Sequence, residues 1–158
     1  METPFLVLNP IKTQDEVFLL RNIRNECREF MTRDTTYITV EQQQKWYEKN
    51  KNNKSIKLYL LHLVELGVIT SPIGYGLIRE EDGYYLISGG LIKTCRGFGY
   101  GSILFDYLIK NTDTNFPIKL EVLKSNNKAF SIYNKLGFRV VNDDGKIITM
   151  EYYYDSVI

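Results

Sequence analysis

The sequence predicts an α/β (α+β) fold: a mixed, mostly antiparallel central sheet of about seven strands, with helices on both faces. Three observations predict it. Short apolar runs, several of them paired around turn residues, read as strands. Segments with helical spacing separate other runs, so hairpins and crossover connections are mixed. The chain has 158 residues, 44% of them hydrophobic, which suits one ordinary domain with a substantial core. Residues 1–158 are therefore expected to form a single domain, without repeat, low-complexity tract or linker.

The elements follow in order. "PFLVLN" is a short apolar run that stops at Pro10, a first strand. Thr13 and Glu16 form a capping-box pattern ahead of "VFLLRNIRNECREFM", where Phe18, Leu19, Ile23, Cys27 and Phe30 recur at helical spacing. Thr39 and Gln42 repeat the signature before "QQKWYEKN", a second helix. "SIKLYLLHLVEL" reads as a strand. "SPIGYGLIRE" and "YYLISGGLIK" read as a hairpin turning near Asp82-Gly83. "GSILFDYLIKN" is helical, with Ile103, Leu104, Tyr107 and Leu108 on one face, and "FPIKLEVL" is a strand. "NNKAFSIYNKLG" is a helix stopped by Gly137. "FRVV" and "KIITMEYYY" are strands joined at "NDDG", and the terminal "DSVI" is expected to be loose. The order is β-α-α-β-β-β-α-β-α-β-β.

Composition excludes several classes. Twenty basic and nineteen acidic side chains leave a formal charge of +1, without the concentrated basic surface that nucleic acid or an anionic membrane requires. One histidine, His62, and two distant cysteines, Cys27 and Cys95, do not make a usual zinc set, so no metal is expected. The absence of a disulfide framework fits a reducing compartment. "METPFLVLNP" lacks signal-peptide features, and no apolar run approaches the roughly 20 residues of a membrane helix. The expected location is the cytoplasm.

One stretch carries chemistry. In "CRGFGYGS", Gly97, Gly99 and Gly101 alternate where a strand hands over to a helix. Glycine permits positive φ and close backbone approach, and the first amides of a helix attract phosphate. Arg96 offers a charge-assisted contact. No lysine follows, which rules out a Walker loop. A dinucleotide fingerprint begins well at Gly97 and Gly99, and Glu121 lies about 20 residues on, but Ser102 stands where the third glycine belongs. A third reading is R-x-x-G-x-G, a pattern used to hold the pyrophosphate of coenzyme A, and a helix entry that merely needs glycine fits these residues equally well. One strand later, Asn126, Ala129 or Phe130, and Tyr133 are spaced to share a helix face.

With both segments in place, the chain resembles the GNAT superfamily of acyl-CoA-dependent N-acetyltransferases from end to end. "RGFGYGS" matches the family's arginine-led loop, and "LEVLKSNNKAFSIYNKLGF" matches its strand, Asn, small residue, Tyr, Leu-Gly-Phe pattern. The resemblance implies acetyl-CoA as acyl donor and a GNAT-like sheet. It implies that amides from Arg96, Gly97, Phe98, Gly99, Tyr100, Gly101 and Ser102 wrap the pyrophosphate. It further implies that Leu91, Ile92 and Lys93 pair with the pantetheine arm, that Asn126 and Ala129 flank it, and that Tyr133 points at the sulfur. Lys124 and Lys128 are candidates for the outer phosphates or ordinary solvated lysines. Relatives often carry Pro or an acidic residue where this chain has "KTC".

Thioester aminolysis needs a neutral amine, a stabilised oxyanion and a protonated leaving thiolate. Ser88, Gly89 and Gly90 suggest a bulge or close backbone approach, with the oxyanion donor near Leu91 or Ile92. Tyr133 is the expected general acid. The base is open: Glu121, His62 and a water relay are considered, with Glu80 and Glu81 read as solvated and His62 as a satisfied core histidine. The acceptor is expected to be a small-molecule amine. "RN-x-x-RN" and "EQQ-x-KWY" look similar to family members that acetylate amino sugars on nucleotide carriers, and somewhat like those acting on protein N-termini or small amines. Arg24, Arg28, Phe30, Met31 and Tyr37 are the pocket candidates. A non-catalytic CoA-binding module and a dinucleotide binder are the alternatives, and a homodimer is left open.

Overall fold

The computed structural model describes residues 5–113 and 115–154. The "DSVI" tail and Pro4 of the first apolar run lie outside them. The elements are β1 (Phe5–Pro10), α1 (Gln14–Glu26), α2 (Val40–Asn50), β2 (Ile56–Glu65), β3 (Val68–Glu81), β4 (Tyr84–Leu91), α3 (Tyr100–Lys110), β5 (Ile118–Leu123), α4 (Asn127–Leu136), β6 (Arg139–Asp143) and β7 (Ile147–Tyr152). Short 3-10 turns occupy Arg28–Phe30 and Lys93–Cys95. The order matches the expected one.

The seven strands form one sheet ordered β1-β2-β3-β4-β5-β7-β6. Every pair is antiparallel except β4 with β5. That exception follows from connectivity, because α3 carries the chain from the end of β4 back to the start of β5. Helices cover both faces. Adjacent residues Leu60 and Leu61 show it: Leu60 packs with Leu20, Ile23, Cys27 and Tyr75 under α1, while Leu61 packs with Ile78, Leu104 and Leu108 under α3.

Local chemistry sets the helix boundaries. Thr13 and Thr39 both close full capping boxes, with Glu16 and Gln42 reaching back to the cap amides. Gly137 ends α4 at φ 111°. Thr13→Ala should cost about 1 kcal/mol in denaturant unfolding.

The structure shifts several expected faces. The buried stripe of α1 is Val17, Leu20, Ile23 and Cys27, whereas Phe18 and Leu19 are exposed. Phe18 instead supports the Arg21 guanidinium, 5.1 Å above its ring. On α3 the buried set is Leu104, Phe105, Leu108 and Ile109, with Ile103 and Tyr107 at its margin. No bulge interrupts β4 opposite β3; the pairing runs unbroken from Gly74↔Leu91 to Glu81↔Tyr84. The glycines instead serve close approach. A Cβ on Gly89 would stand 2.8 Å from the Tyr75 carbonyl and 3.1 Å from Leu104, and one on Gly90 would stand 2.7 Å from Cys27 Sγ. Helices thus press on β4 from both sides.

Burial raises the phenol pKa of Tyr59, Tyr75 and Tyr133. Unfolded phenols titrate near pH 10. Below that pH, folded and unfolded chains carry the same protons on these groups. Above it the unfolded chain ionises first, so stability should fall as pH climbs past about 10. Denaturant midpoints measured across that range check the sign, and a flat profile would contradict it.

Candidate active site at the splayed strands

Strands β4 and β5 pair only at Tyr85↔Ile118 and Leu86↔Lys119. Beyond that point β4 stays with β3 and β5 stays with β7, so the two strands part. Backbone direction alternates along a strand. The Tyr85 N–H donates toward β5, to the Pro117 carbonyl at 3.0 Å, and the Ile92 N–H donates toward β3, to the Ile73 carbonyl at 2.8 Å. The alternation therefore turns the amides of Gly89 and Leu91 to the open edge. Of the two expected oxyanion donors, Leu91 has the right direction and Ile92 does not.

The edge ends sooner than expected. Strand β4 stops at Leu91, and the Lys93 N–H is taken by Glu26 Oε1 at 2.6 Å. The backbone of Ile92 and Lys93 is thus already used, while Leu91 keeps its amide. "KTC" folds into the 3-10 turn that redirects the chain.

Arg96 does not reach outward. Its Nε donates to the Leu91 carbonyl at 3.0 Å, and its Nη2 donates to the Glu26 carbonyl at 3.3 Å. Its guanidinium lies 4.9 Å over the Phe30 ring. Its amide donates to the Lys93 carbonyl at 3.3 Å. The side chain expected to offer a phosphate contact is thus engaged within the protein, by the Leu91 and Glu26 carbonyls and by Glu29 at 3.7 Å. Cys27 joins the same clamp, its Sγ 3.3 Å from the Leu91 carbonyl, and burial pushes its thiol pKa up.

The remaining loop fits a phosphate group. Gly97 and Gly99 are both left-handed, at φ 87° and 86°, and open space lies where a Cβ would stand on either. Helix α3 starts at Tyr100 without a side-chain cap, so its first amides lack a partner from the cap. Such left-handed turns ahead of a helix make an anion-binding concavity. The Phe98 and Tyr100 rings stack on each other, 5.8 Å apart. A Cβ on Gly101 would stand 3.4 Å from Ile132 and 4.0 Å from Leu91, so the loop, α4 and the end of β4 converge.

Asn126 is the N-cap of α4 rather than part of its face; its Oδ1 accepts from the Ala129 N–H at 3.2 Å. Its NH2 group has no partner among the described residues, which leaves two donors. Tyr133 is buried, with its ring edge-on to Phe105 at 4.8 Å. Phe105 also touches the Gly89 position of the open edge, at 3.6 Å. The Tyr133 hydroxyl makes no hydrogen bond among the described residues. Burial lifts its pKa well above the usual phenol range, and the nearby Tyr75 phenol adds to the shift.

The sequence pattern of the acetyltransferase (GNAT) family matches residues 19–138. The chain belongs to the GNAT family. No curated protein sequence matches it significantly. Solved structures do. A domain from Methanocaldococcus jannaschii superposes with a TM-score of 0.81 at 14% identity, covering 95% of this chain and 99% of that one. Spermidine N-acetyltransferase from Vibrio cholerae, in complex with CoA and spermine, gives 0.78 at 16% identity, with 93% and 94% covered. N-acetyltransferase PseH from Campylobacter jejuni, in complex with acetyl coenzyme A, gives 0.71 at 20% identity, with 96% and 100% covered.

On this GNAT frame the other candidates separate. Glu121 is not a free carboxylate: Arg33 of the α1–α2 connection grips both its oxygens, with Nε at 3.1 Å. His62 is half-buried and its Nδ1 lies 2.9 Å from the Thr70 carbonyl, a satisfied histidine on β2. Lys124 pairs with Asp143 at 2.9 Å, while Lys128 is exposed.

The five acceptor candidates do not share one pocket. Arg28 donates to the Thr35 carbonyl at 2.9 Å and lies over Tyr37, whose hydroxyl accepts from Arg21 at 2.9 Å. Phe30 sits beneath Arg96, and Met31 follows the 3-10 turn, half-buried. Arg24 alone turns inward, into a cavity between α1, α2 and the sheet that it shares with Tyr75 and Arg79. Sequence reasoning missed Tyr75 and Arg79. Their signal is the alternation Tyr75, Leu77, Arg79 on β3, which sets a cation on the face beneath α1 and α2.

Proposed function

We propose that this chain is an N-acetyltransferase that moves an acetyl group from acetyl-CoA to a primary amine of a small molecule. One observation supports the reading: β4 and β5 part where the Leu91 amide faces outward, with the glycine loop following that strand end and Tyr133 packed on Phe105, which in turn reaches the Gly89 position. The amides of Gly97 to Ser102 hold the pyrophosphate, and the Asn126 NH2 group donates to the pantetheine arm. The Leu91 N–H donates to the developing oxyanion; one such donor is worth roughly 3 kcal/mol of barrier. Tyr133 gives its proton to the departing sulfur. With Glu121 held by Arg33, the proton of the attacking amine leaves through water.

The acceptor reading is an amino sugar on a nucleotide carrier, resting on "RN-x-x-RN" and "EQQ-x-KWY". Acetylation of a protein N-terminus or a simple small amine is the alternative. The V. cholerae neighbour is a spermidine N-acetyltransferase, so one fold serves dissimilar acceptors. The absence of a free carboxylate base at Glu121 favours a second reading, a CoA-binding module without turnover. Thiol release from acetyl-CoA across a panel of amines separates the two. Amine-dependent release supports transfer; tight CoA binding with no release across the panel supports the module.

A further inference from the structure

Two arginines meet in a cavity that no carboxylate lines. The cavity holds about 80 Å³ beneath α1 and α2, against the sheet. Arg24 of α1 and Arg79 of β3 supply its charge, Trp46, Tyr75 and Ser88 complete its polar wall, and Leu58 and Leu77 form an apolar floor. The Nε of each arginine is buried and has no hydrogen-bond partner among the described residues. Among the described residues Arg79 has one ion pair, a loose one with Glu81, 4.0 Å from that Nε and beyond hydrogen-bond reach. Like charges that converge with buried, unsatisfied donors are unfavourable until an anion joins them. Since a water takes roughly 30 Å³, the space suits a carboxylate or phosphate group.

The cavity also leads toward the reaction centre. Tyr75 is paired with Gly90, and its ring lies across that glycine, 3.2 Å from where a Cβ would stand. Any larger residue at Gly90 would push the ring away. One residue further on is Leu91, whose amide faces the open edge. Ser88 lies three residues before Leu91, roughly 10 Å along a strand.

We propose that this cavity seats the carboxylate or phosphate of the acceptor, so that the amine acetylated by this chain belongs to an anionic molecule and not to a polyamine. The inference rests on the N-acetyltransferase reading above. Arg24 and Arg79 bind the anion, Trp46 and Tyr75 flank the part of the acceptor attached to it, and the amine arrives at Leu91. The acceptor is longer than an α-amino acid, with up to roughly 10 Å between anion and amine. A polyamine would bring positive charge to two guanidinium groups whose only acid within ion-pair distance among the described residues is Glu81, 4.0 Å from Arg79 Nε.

Two measurements test it. Inorganic phosphate is titrated against the protein with coenzyme A saturating, so that the glycine loop is already filled. Wild type should gain thermal stability, and Arg24→Gln and Arg79→Gln should each weaken phosphate binding about tenfold or more. An equal phosphate effect in all three proteins, or none in wild type, overturns the anion site. Turnover is then compared for glucosamine 6-phosphate, glucosamine and spermidine. A preference for the phosphorylated amine that Arg79→Gln abolishes supports the proposal. A preference for spermidine overturns it and leaves the acetyltransferase reading standing. No thiol release with any amine sinks that reading and the acceptor assignment with it, while the phosphate titration still decides whether the cavity holds an anion.

Discussion

Replacing Tyr133 by phenylalanine should lower kcat by about 10²- to 10⁴-fold, the usual contribution of a positioned acid. Acetyl-CoA affinity should stay within about twofold, because the substitution removes one hydroxyl and keeps the ring. Stability should also hold. The ring contacts with Phe105 and Phe138 survive, and the lost hydroxyl has no partner among the described residues. The pKa direction adds a second readout. A phenol raised by burial stays protonated well past pH 10, so the wild-type rate should show no alkaline limb from loss of its acid below that pH. The raised pKa also makes Tyr133 a weaker acid. Transfer to sulfur then requires that the leaving thiolate share the same poorly solvated surroundings, which raise its own pKa in parallel. Steady-state kinetics with parallel CoA titrations check all of this. Unchanged kcat would remove Tyr133 as the acid, and an equal fall in CoA affinity would make it a binding group.

Gly99→Val should weaken coenzyme A binding by about 100-fold or more, with the circular dichroism spectrum retained. Gly99 caps α3 at φ 86°, where a β-branched residue is strained. The added side chain also fills the open space over the loop, where phosphate must approach the backbone. Losing one or two charge-assisted amide contacts is enough for that factor, at about 1.5–3 kcal/mol each. The backbone strain should lower stability by about 1–3 kcal/mol, but no neighbour within 4 Å obstructs the new Cβ, so the fold is retained. Calorimetric titration measures it. Wild-type affinity in Gly99→Val would move the pyrophosphate away from this loop.

Much of the architecture could be read from the chain because its signals are local. Capping boxes at Thr13 and Thr39, the Asp82-Gly83 turn and the Gly137 stop depend on residues a few positions apart, and each holds. The turn between β2 and β3 carries a weaker signal. It uses Leu66 at φ 51° before Gly67, and leucine seldom takes that conformation. Strand β3 therefore begins at Val68 rather than at Ser71.

The site was legible in outline only. The glycine loop, Asn126 and Tyr133 stand out by spacing, and the structure brings their elements together. What stayed hidden depends on partners distant in sequence. Arg96 reads as a phosphate ligand until α1 arrives with the Glu26 carbonyl, 70 residues earlier. Glu121 reads as a free base until Arg33 closes on it across 88 residues. The choice of Leu91 over Ile92 follows from the β3–β4 register, which no single strand encodes.

A structure with coenzyme A bound decides whether the splay is the acyl-transfer site. The arm should lie between β4 and β5, its thiol end beside the Leu91 amide, with the pyrophosphate on the amides of Gly97 to Ser102. The sulfur should lie within hydrogen-bond reach of the Tyr133 hydroxyl, about 3–4 Å allowing for its larger radius. Coenzyme A bound outside the splay, or a sulfur remote from Tyr133, would contradict that assignment.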